Sequence, residues 1–439
     1  MAYFADIPQV QFEGPDTLSP LAFRWYDPER VVAGQKMKDH FRFAMCWWHS
    51  FSNAGADPFG APTQRFAWDT GGDAVDRGRR KMDAAFEAFG KLGIEYFCFH
   101  DFDLVQEGET NAESDRRVQA LVDHAKGHMK DSGVKLLWGT ANLFSHPRFM
   151  NGAITNPEFA VVAQAGVQVK RAIDATIELG GRGYVFWGGR EGYSSLLNTN
   201  MKREQEHLGI FLDKARSYAK ANGFQGTFFI EPKPAEPSKH QYDFDAATSM
   251  GFLREYGLAG DFKLNIEANH ATLAGHSFAH ELRVSADAGL LGSIDANRGD
   301  VQNGWDTDQF PLDQFEMTEA MLIVMESGGL QGGGVNFDAK LRRNSVDQED
   351  LFIAHVAGMD AFAKALLDAD AIRQNGQYDA WRKLRYTSFD HGEGARFEAG
   401  EIDLSGLRDA ADLLGQQVNA AGFKSGKQEK YEQWISRWI

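Results

Sequence analysis

The strongest constraint on this chain is an eightfold alternation. Apolar runs of strand length recur at residues 41–47, 94–100, 134–141, 183–189, 226–233, 262–270, 290–297 and 334–340. Helical patterns lie between them, as at 77–92, 158–179, 202–221, 271–288 and 348–367, with apolar residues three and four apart. This order predicts an α/β fold, a (β/α)8 TIM barrel, in which working residues come from the C-terminal ends of the strands. A length of 439 residues would otherwise suggest about three ordinary domains. The alternation favours one barrel instead, over residues 1–380, with residues 1 to about 36 as an N-terminal extension. Residues 381–439 lose the alternation and read as a helical tail carrying Trp381, Tyr386, Trp434 and Trp438. Such a tail has little core of its own and is expected to pack on a neighbouring subunit.

The polar residues fall where a barrel would place a site. In the segment 263–276, Leu264 and Ile266 alternate with Lys263, Asn265 and Glu267, so a strand delivers Glu267 to its end and His270 follows at the turn. Other runs end in Trp48 and His49, His100 and Asp103, Thr140 and Asn142, Trp187, Glu231 and Lys233, Asp295, and Asp338. Asp306 and Asp308 occupy the loop after the seventh run.

Six carboxylates at one mouth, Glu231, Glu267, Asp295, Asp306, Asp308 and Asp338, are too many to stay ionised together without compensating charge. Two divalent cations would supply it. Oxygen donors with the single imidazole of His270 favour Mg2+, Mn2+ or Co2+ over structural zinc. Lys233 lies two residues after Glu231, on the same strand face, where it could polarise a substrate oxygen or form a salt bridge with Glu231. His100 beside Asp103 suits proton transfer to or from a sugar hydroxyl, or is a hydrogen-bonded core residue. Trp48, Trp187 and Phe59 would wall a sugar pocket, since aromatic faces pack on C–H faces, or are ordinary core aromatics.

Composition sets the exclusions. A net charge of −16 repels phosphate backbones and anionic lipid, so nucleic acid and membrane surfaces are not expected partners. No stretch approaches a membrane span, and no basic region followed by an apolar run opens the chain. Cys46 and Cys98 sit inside apolar runs, which gives no disulfide framework and suits a reducing compartment. A cytoplasmic protein is expected. His276, His280 and Glu281 reverse the order of the zinc-protease signature and read as a helix face. The glycines between 328 and 334 lack the phosphate-loop ending and read as the turn into the eighth strand.

Several stretches together resemble class II D-xylose isomerase, an aldose–ketose isomerase family: Phe-His-Asp-Phe-Asp at 99–103, Leu-Trp-Gly-Thr-Ala-Asn at 137–142, Trp-Gly-Gly-Arg-Glu-Gly-Tyr at 187–193, Ile-Glu-Pro-Lys-Pro at 230–234, the segment 265–276, Asp-Ala-Asn-Arg-Gly-Asp at 295–300, Gly-Trp-Asp-Thr-Asp-Gln-Phe-Pro at 304–311, and Asn-Phe-Asp-Ala-Lys at 336–340. The resemblance covers most of the chain, and follows the family poorly at 52–54 and over the last 50 or so residues. It implies a first metal on Glu231, Glu267, Asp295 and Asp338 and a second on Glu267, His270, Asp306 and Asp308, with Glu267 bridging. It further implies His100, oriented by Asp103, in ring opening, Lys233 at the carbonyl end of the sugar, Phe59 reaching into a neighbour's site, and a homotetramer. The expected reaction is isomerisation of D-xylose, and of D-glucose, by a 1,2-hydride shift on a small neutral sugar. A metal-dependent phosphodiesterase and a non-enzymatic sugar-binding barrel are the rivals; the acidic balance argues against the first, and the second has no need of the carboxylates, Lys233 and His100.

Overall fold

Each apolar run becomes a strand over part of its length, and its polar end is the last strand residue or lies in the loop just beyond it. The computed structural model describes residues 2–439. Its barrel strands are β1 (Ala44–Cys46), β2 (Tyr96–His100), β3 (Lys135–Thr140), β4 (Gly183–Trp187), β5 (Thr227–Glu231), β6 (Phe262–Glu267), β7 (Leu291–Asp295) and β8 (Val335–Phe337). They are parallel, pair in chain order and close on themselves. The principal helices that follow them are α1 (Ala74–Leu92), α2 (Asn111–Ser132), α3 (Phe159–Glu178), α4 (Met201–Ala221), α5 (Ala246–Glu255), α6 (Phe278–Asp287), α7 (Gln314–Glu326) and α8 (Gln348–Asn375).

Three expectations change in detail. Phe41 closes a short helix, Met37–Phe41, and Arg42 at φ 45° turns the chain into β1, so this strand starts later than its apolar run. The pattern at 271–288 is two helices, Ala268–Leu273 and α6, because Gly275 takes φ 78° and the Ser277 hydroxyl accepts the His280 N–H as a fresh N-cap. Helix α8 runs past residue 367 to Asn375 before Gly376 stops it at φ 72°. The glycine run before β8 is the turn expected, with Gly328, Gly329 and Gly332 all at positive φ.

The barrel floor is aromatic. Phe41 stacks on Phe43 at 4.6 Å, and Phe43 on Phe337 at 5.3 Å. The N-terminal extension is part of this core: Phe4, Ile7, Val10, Phe23 and Tyr26 are buried, and the Asp360 carboxylate accepts the backbone N–H groups of Arg24, Trp25 and Tyr26 at 2.8 Å. Inside the barrel, Cys46 stands opposite Cys98 across β1 and β2, both thiols free and buried. Residue 381 falls within a helix, Gln377–Tyr386, that follows α8 directly. The last helix, Gln428–Ile435, returns to the main body, where Trp438 offers its carbonyl to the Lys364 ammonium at 2.8 Å. Between them Leu404 and Phe423 stand 85% and 90% exposed. No helix among the described residues is long and apolar enough to cross a membrane.

Candidate active site

Register brings the strand ends to one level. Trp187 pairs with Glu231, Glu267 with Asp295, and His100 with Thr140. One residue past β8, Asp338 joins them, and the loop after β7 folds Asp306 and Asp308 back over the mouth, with Asp308 held at φ 43°. Donor atoms of Glu231, Glu267, Asp295 and Asp338 lie within 4.8 Å of one another. The same holds for Glu267, Asp306 and Asp308, and for Glu231, Glu267 and His270. Glu267 is common to all three groups.

Amides fix this cluster from behind. Asn265 donates to Glu231 Oε2 at 2.9 Å, Asn297 to Glu267 Oε1 at 2.7 Å, Asn336 to Asp295 Oδ1 at 2.9 Å, and Asn269 to Asp306 Oδ1. The other oxygens of Glu267 and Asp295 are buried without a hydrogen-bond partner, as is His270 Nδ1, which lies 3.1 Å from Glu267 Oε2. Burial, then neighbouring carboxylates, push Glu231 and Glu267 well above the usual carboxylate range. Burial and the Asp338 charge raise Asp295 to about 8. Burial also opposes charge at Asp306, but Lys233 and His270 outweigh it and hold Asp306 well below the usual range. Buried oxygens left unpaired beside like charges fit divalent cations, and an oxygen-rich set with one imidazole suits hard ions.

A cavity of about 160 Å³ opens above the cluster. Trp48, His100, Trp138, Thr140, Phe144, Trp187 and Lys233 wall it. Trp48 packs edge-on to His100 at 4.5 Å and donates its indole N–H to Asp338 at 2.8 Å. Asp103 accepts from His100 Nδ1 at 2.8 Å, which leaves Nε2 as the free ring nitrogen. Lys233 pairs with Asp306 at 2.5 Å, not with Glu231, and lies 5.3 Å from the Trp187 ring centroid. The Thr140 hydroxyl donates to the Val185 carbonyl at 2.7 Å, so its contact surface in the cavity is mainly its methyl edge. Phe59 is outside the chain's own cavity: it is 82% exposed, with its ring 6.0 Å from Trp305.

Sequence reasoning gave no role to several residues that the structure puts here. His49, which follows Trp48 at the end of the first run, bridges Asp308 at 3.2 Å and Asp338 at 2.9 Å. Burial opposes its charge, yet the two carboxylates raise it to about 9. Lys340, two residues beyond Asp338, donates to Asp308 at 2.8 Å. Phe144 meets Trp187 edge-on at 4.6 Å from a loop with no periodic signal. Away from the mouth, His276 precedes the cap of α6 and shares Asp245 with the cap of α5, while Glu281 accepts the Ala246 N–H; these are capping contacts.

This chain is similar along its whole length to known proteins. It is 57% identical over 437 residues to "Xylose isomerase 2" of Xanthomonas campestris pv. campestris (strain 8004), covering 100% of this chain and 97% of that one. It is 57% identical over 430 residues to "Xylose isomerase" of Bacteroides thetaiotaomicron, covering 98% of this chain and 97% of that one. A domain family described as "XylA2 C-terminal domain" matches residues 382–439. Among solved structures, D-psicose 3-epimerase from Clostridium cellulolyticum H10 overlaps 74% of this chain and 99% of its own, at a TM-score of 0.49 and 14% identity. The barrel assignment rests on the closed parallel sheet itself. The protein is a barrel enzyme of the sugar-isomerase class, an intramolecular oxidoreductase. By its identity along the whole length, the chain belongs to the xylose isomerase family.

Proposed function

We propose that this enzyme converts D-xylose to D-xylulose, and D-glucose to D-fructose, with two divalent cations of the Mg2+, Mn2+ or Co2+ kind. Glu231, Glu267, Asp295 and Asp338 would hold one, and Glu267, His270, Asp306 and Asp308 the other. When bound, such ions supply Lewis acidity at the sugar's oxygens. The observation that carries this reading is the sharing of Glu267 among all three groups of converging donors, with its Oε2 buried and unpaired.

The protein's own residues divide the remaining work. His100, its tautomer fixed by Asp103, faces the cavity with a free Nε2 that serves proton transfer in opening the cyclic sugar. Lys233, kept charged by Asp306, orients and polarises the carbonyl end. Trp48 and Trp187 pack on the sugar's C–H faces and keep water out. A proton-transfer mechanism at C2 needs a free base there, yet each carboxylate of the cluster is assigned to a cation and His100 to the ring oxygen. The hydrogen therefore moves from C2 to C1 as hydride.

In this reading the enzyme is a cytoplasmic homotetramer. Phe59 completes a neighbour's site and the tail from residue 381 packs on a neighbouring subunit, which the exposure of Phe59, Leu404 and Phe423 supports. D-Xylose deuterated at C2 and converted in ordinary water tests the chemistry: the label is expected on C1 of xylulose. Washout of the label in a single turnover would overturn the hydride path, and failure to form xylulose with any of the three ions would overturn the assignment.

A further inference from the structure

On the outer helical layer, α2 carries His124 and His128 four residues apart, which puts both imidazoles on one helix face. That face meets Asp83 of α1. The Nε2 atoms of both rings lie 2.8 Å from the same carboxylate oxygen, Asp83 Oδ1, and the three donor atoms lie within 4.8 Å of one another. The rings are held in place. His128 stacks on Phe86 at 4.8 Å with its plane 19° away, and His124 meets His128 edge to face at 4.8 Å. The two imidazole side chains are each 30% exposed and Asp83 43%, so the convergence is open to solvent ions.

We propose that Asp83, His124 and His128 form a third metal site, for a Zn2+-class ion, that ties α1 to α2. Two imidazoles and one carboxylate match the donor set of zinc sites with three protein ligands, leaving the fourth tetrahedral position for water. Each neutral imidazole can pass its Nε2 proton to Nδ1 and present the Nε2 lone pair, so ligation by the rings needs no net loss of protons. The hydrogen-bonded trio is the ion-free form of the same site. Because its geometry is already set by Phe86 and by the helix spacing, little side-chain freedom is lost on binding. The donor chemistry also separates it from the barrel mouth, where oxygen donors dominate and hard ions such as Mg2+ are favoured. The inference is independent of the roles proposed at the mouth.

The full-length protein kept in excess Mg2+ is dialysed against Zn2+, and bound zinc is counted per chain for the wild type, His128→Gln and Asp83→Asn. Zn2+ that displaces Mg2+ at the mouth does so in all three proteins and cancels in the difference. The wild type should hold one more zinc per chain than either variant, and its Tm should rise with Zn2+ by more than theirs. Mg2+-supported isomerisation, equal in all three, shows that the variants are folded. Equal zinc counts, or a Zn2+-dependent rise in Tm as large in the variants as in the wild type, would overturn the proposal.

Discussion

Removing the cations should make this protein acid-loving. Without them, Glu231 and Glu267 sit well above the usual carboxylate range and Asp295 near 8, all chiefly through burial. Unfolded carboxylates titrate at about 4. Above that point the folded, metal-free chain holds protons that the unfolded chain has released, so its stability falls as pH rises toward the folded values. Glu231 and Asp295 face each other in one buried cluster, so each raises the cost of ionising the other. Asp295, held near 8, gives a loss of about 1.4 kcal/mol per pH unit between about pH 5 and about pH 8, and Glu231 and Glu267, raised by the same burial, add in the same direction. His49, raised to about 9, adds in the same direction: its charge stabilises below its unfolded value of about 6.5, and that gain disappears as pH rises through 9. Asp306 and Asp338 are lowered, so their contribution is lost only at more acidic pH and does not offset the slope. Calorimetry on chelated protein should show Tm falling by at least about one degree per pH unit across this window, and flattening once Mg2+ is saturating. Mg2+ binding near pH 7 should release protons, read from titrations in two buffers of different ionisation enthalpy. A metal-free Tm that is flat or rises with pH would refute the reasoning.

Other outcomes follow from single side chains. Glu267→Gln should lower kcat/KM by at least about 100-fold and exceed any other ligand change, because it removes a donor from both groups; a larger loss in Asp308→Asn would count against the sharing. His100→Asn should slow turnover of cyclic sugar by about 100-fold or more and largely spare an open-chain substrate that cannot cyclise. Equal losses on both would exclude the ring-opening role. Asn297→Ala frees Glu267, Asp308 and the Asp338 carbonyl together, and should weaken Mg2+ affinity by about 10- to 100-fold while the fold persists. Unchanged affinity would show that the carboxylates need no amide to hold them.

The barrel was legible because each strand announces itself locally, as an apolar run with a polar residue at its end. Glu231 and Glu267 could be placed at one mouth from that pattern alone. What stayed hidden depends on neighbours across the sheet. Asn265 and Asn336 look like ordinary polar strand residues until β5 is seen beside β6 and β7 beside β8, where each amide meets the preceding strand's carboxylate. His49 was visible at a strand end, but its two partners come from residues 259 and 289 positions further on. The break at Gly275 was masked because apolar spacing continues through it; only the left-handed backbone and the Ser277 cap end one helix and begin the next. Phe144 gave no signal, since a loop aromatic has no period to betray its direction.

The amides behind the carboxylates also bear on how the protein meets a changing ion supply. Each of Asn265, Asn297 and Asn336 grips one oxygen of its acid and leaves the other to whatever positive charge arrives. Protons and divalent ions therefore compete for the same unclaimed oxygens while the walls stand still. Swapping one occupant for another asks for no refolding, only an exchange of charge. Such a centre works as a fixed socket, so a cell that exhausts one hard divalent ion could refill it with the next most abundant.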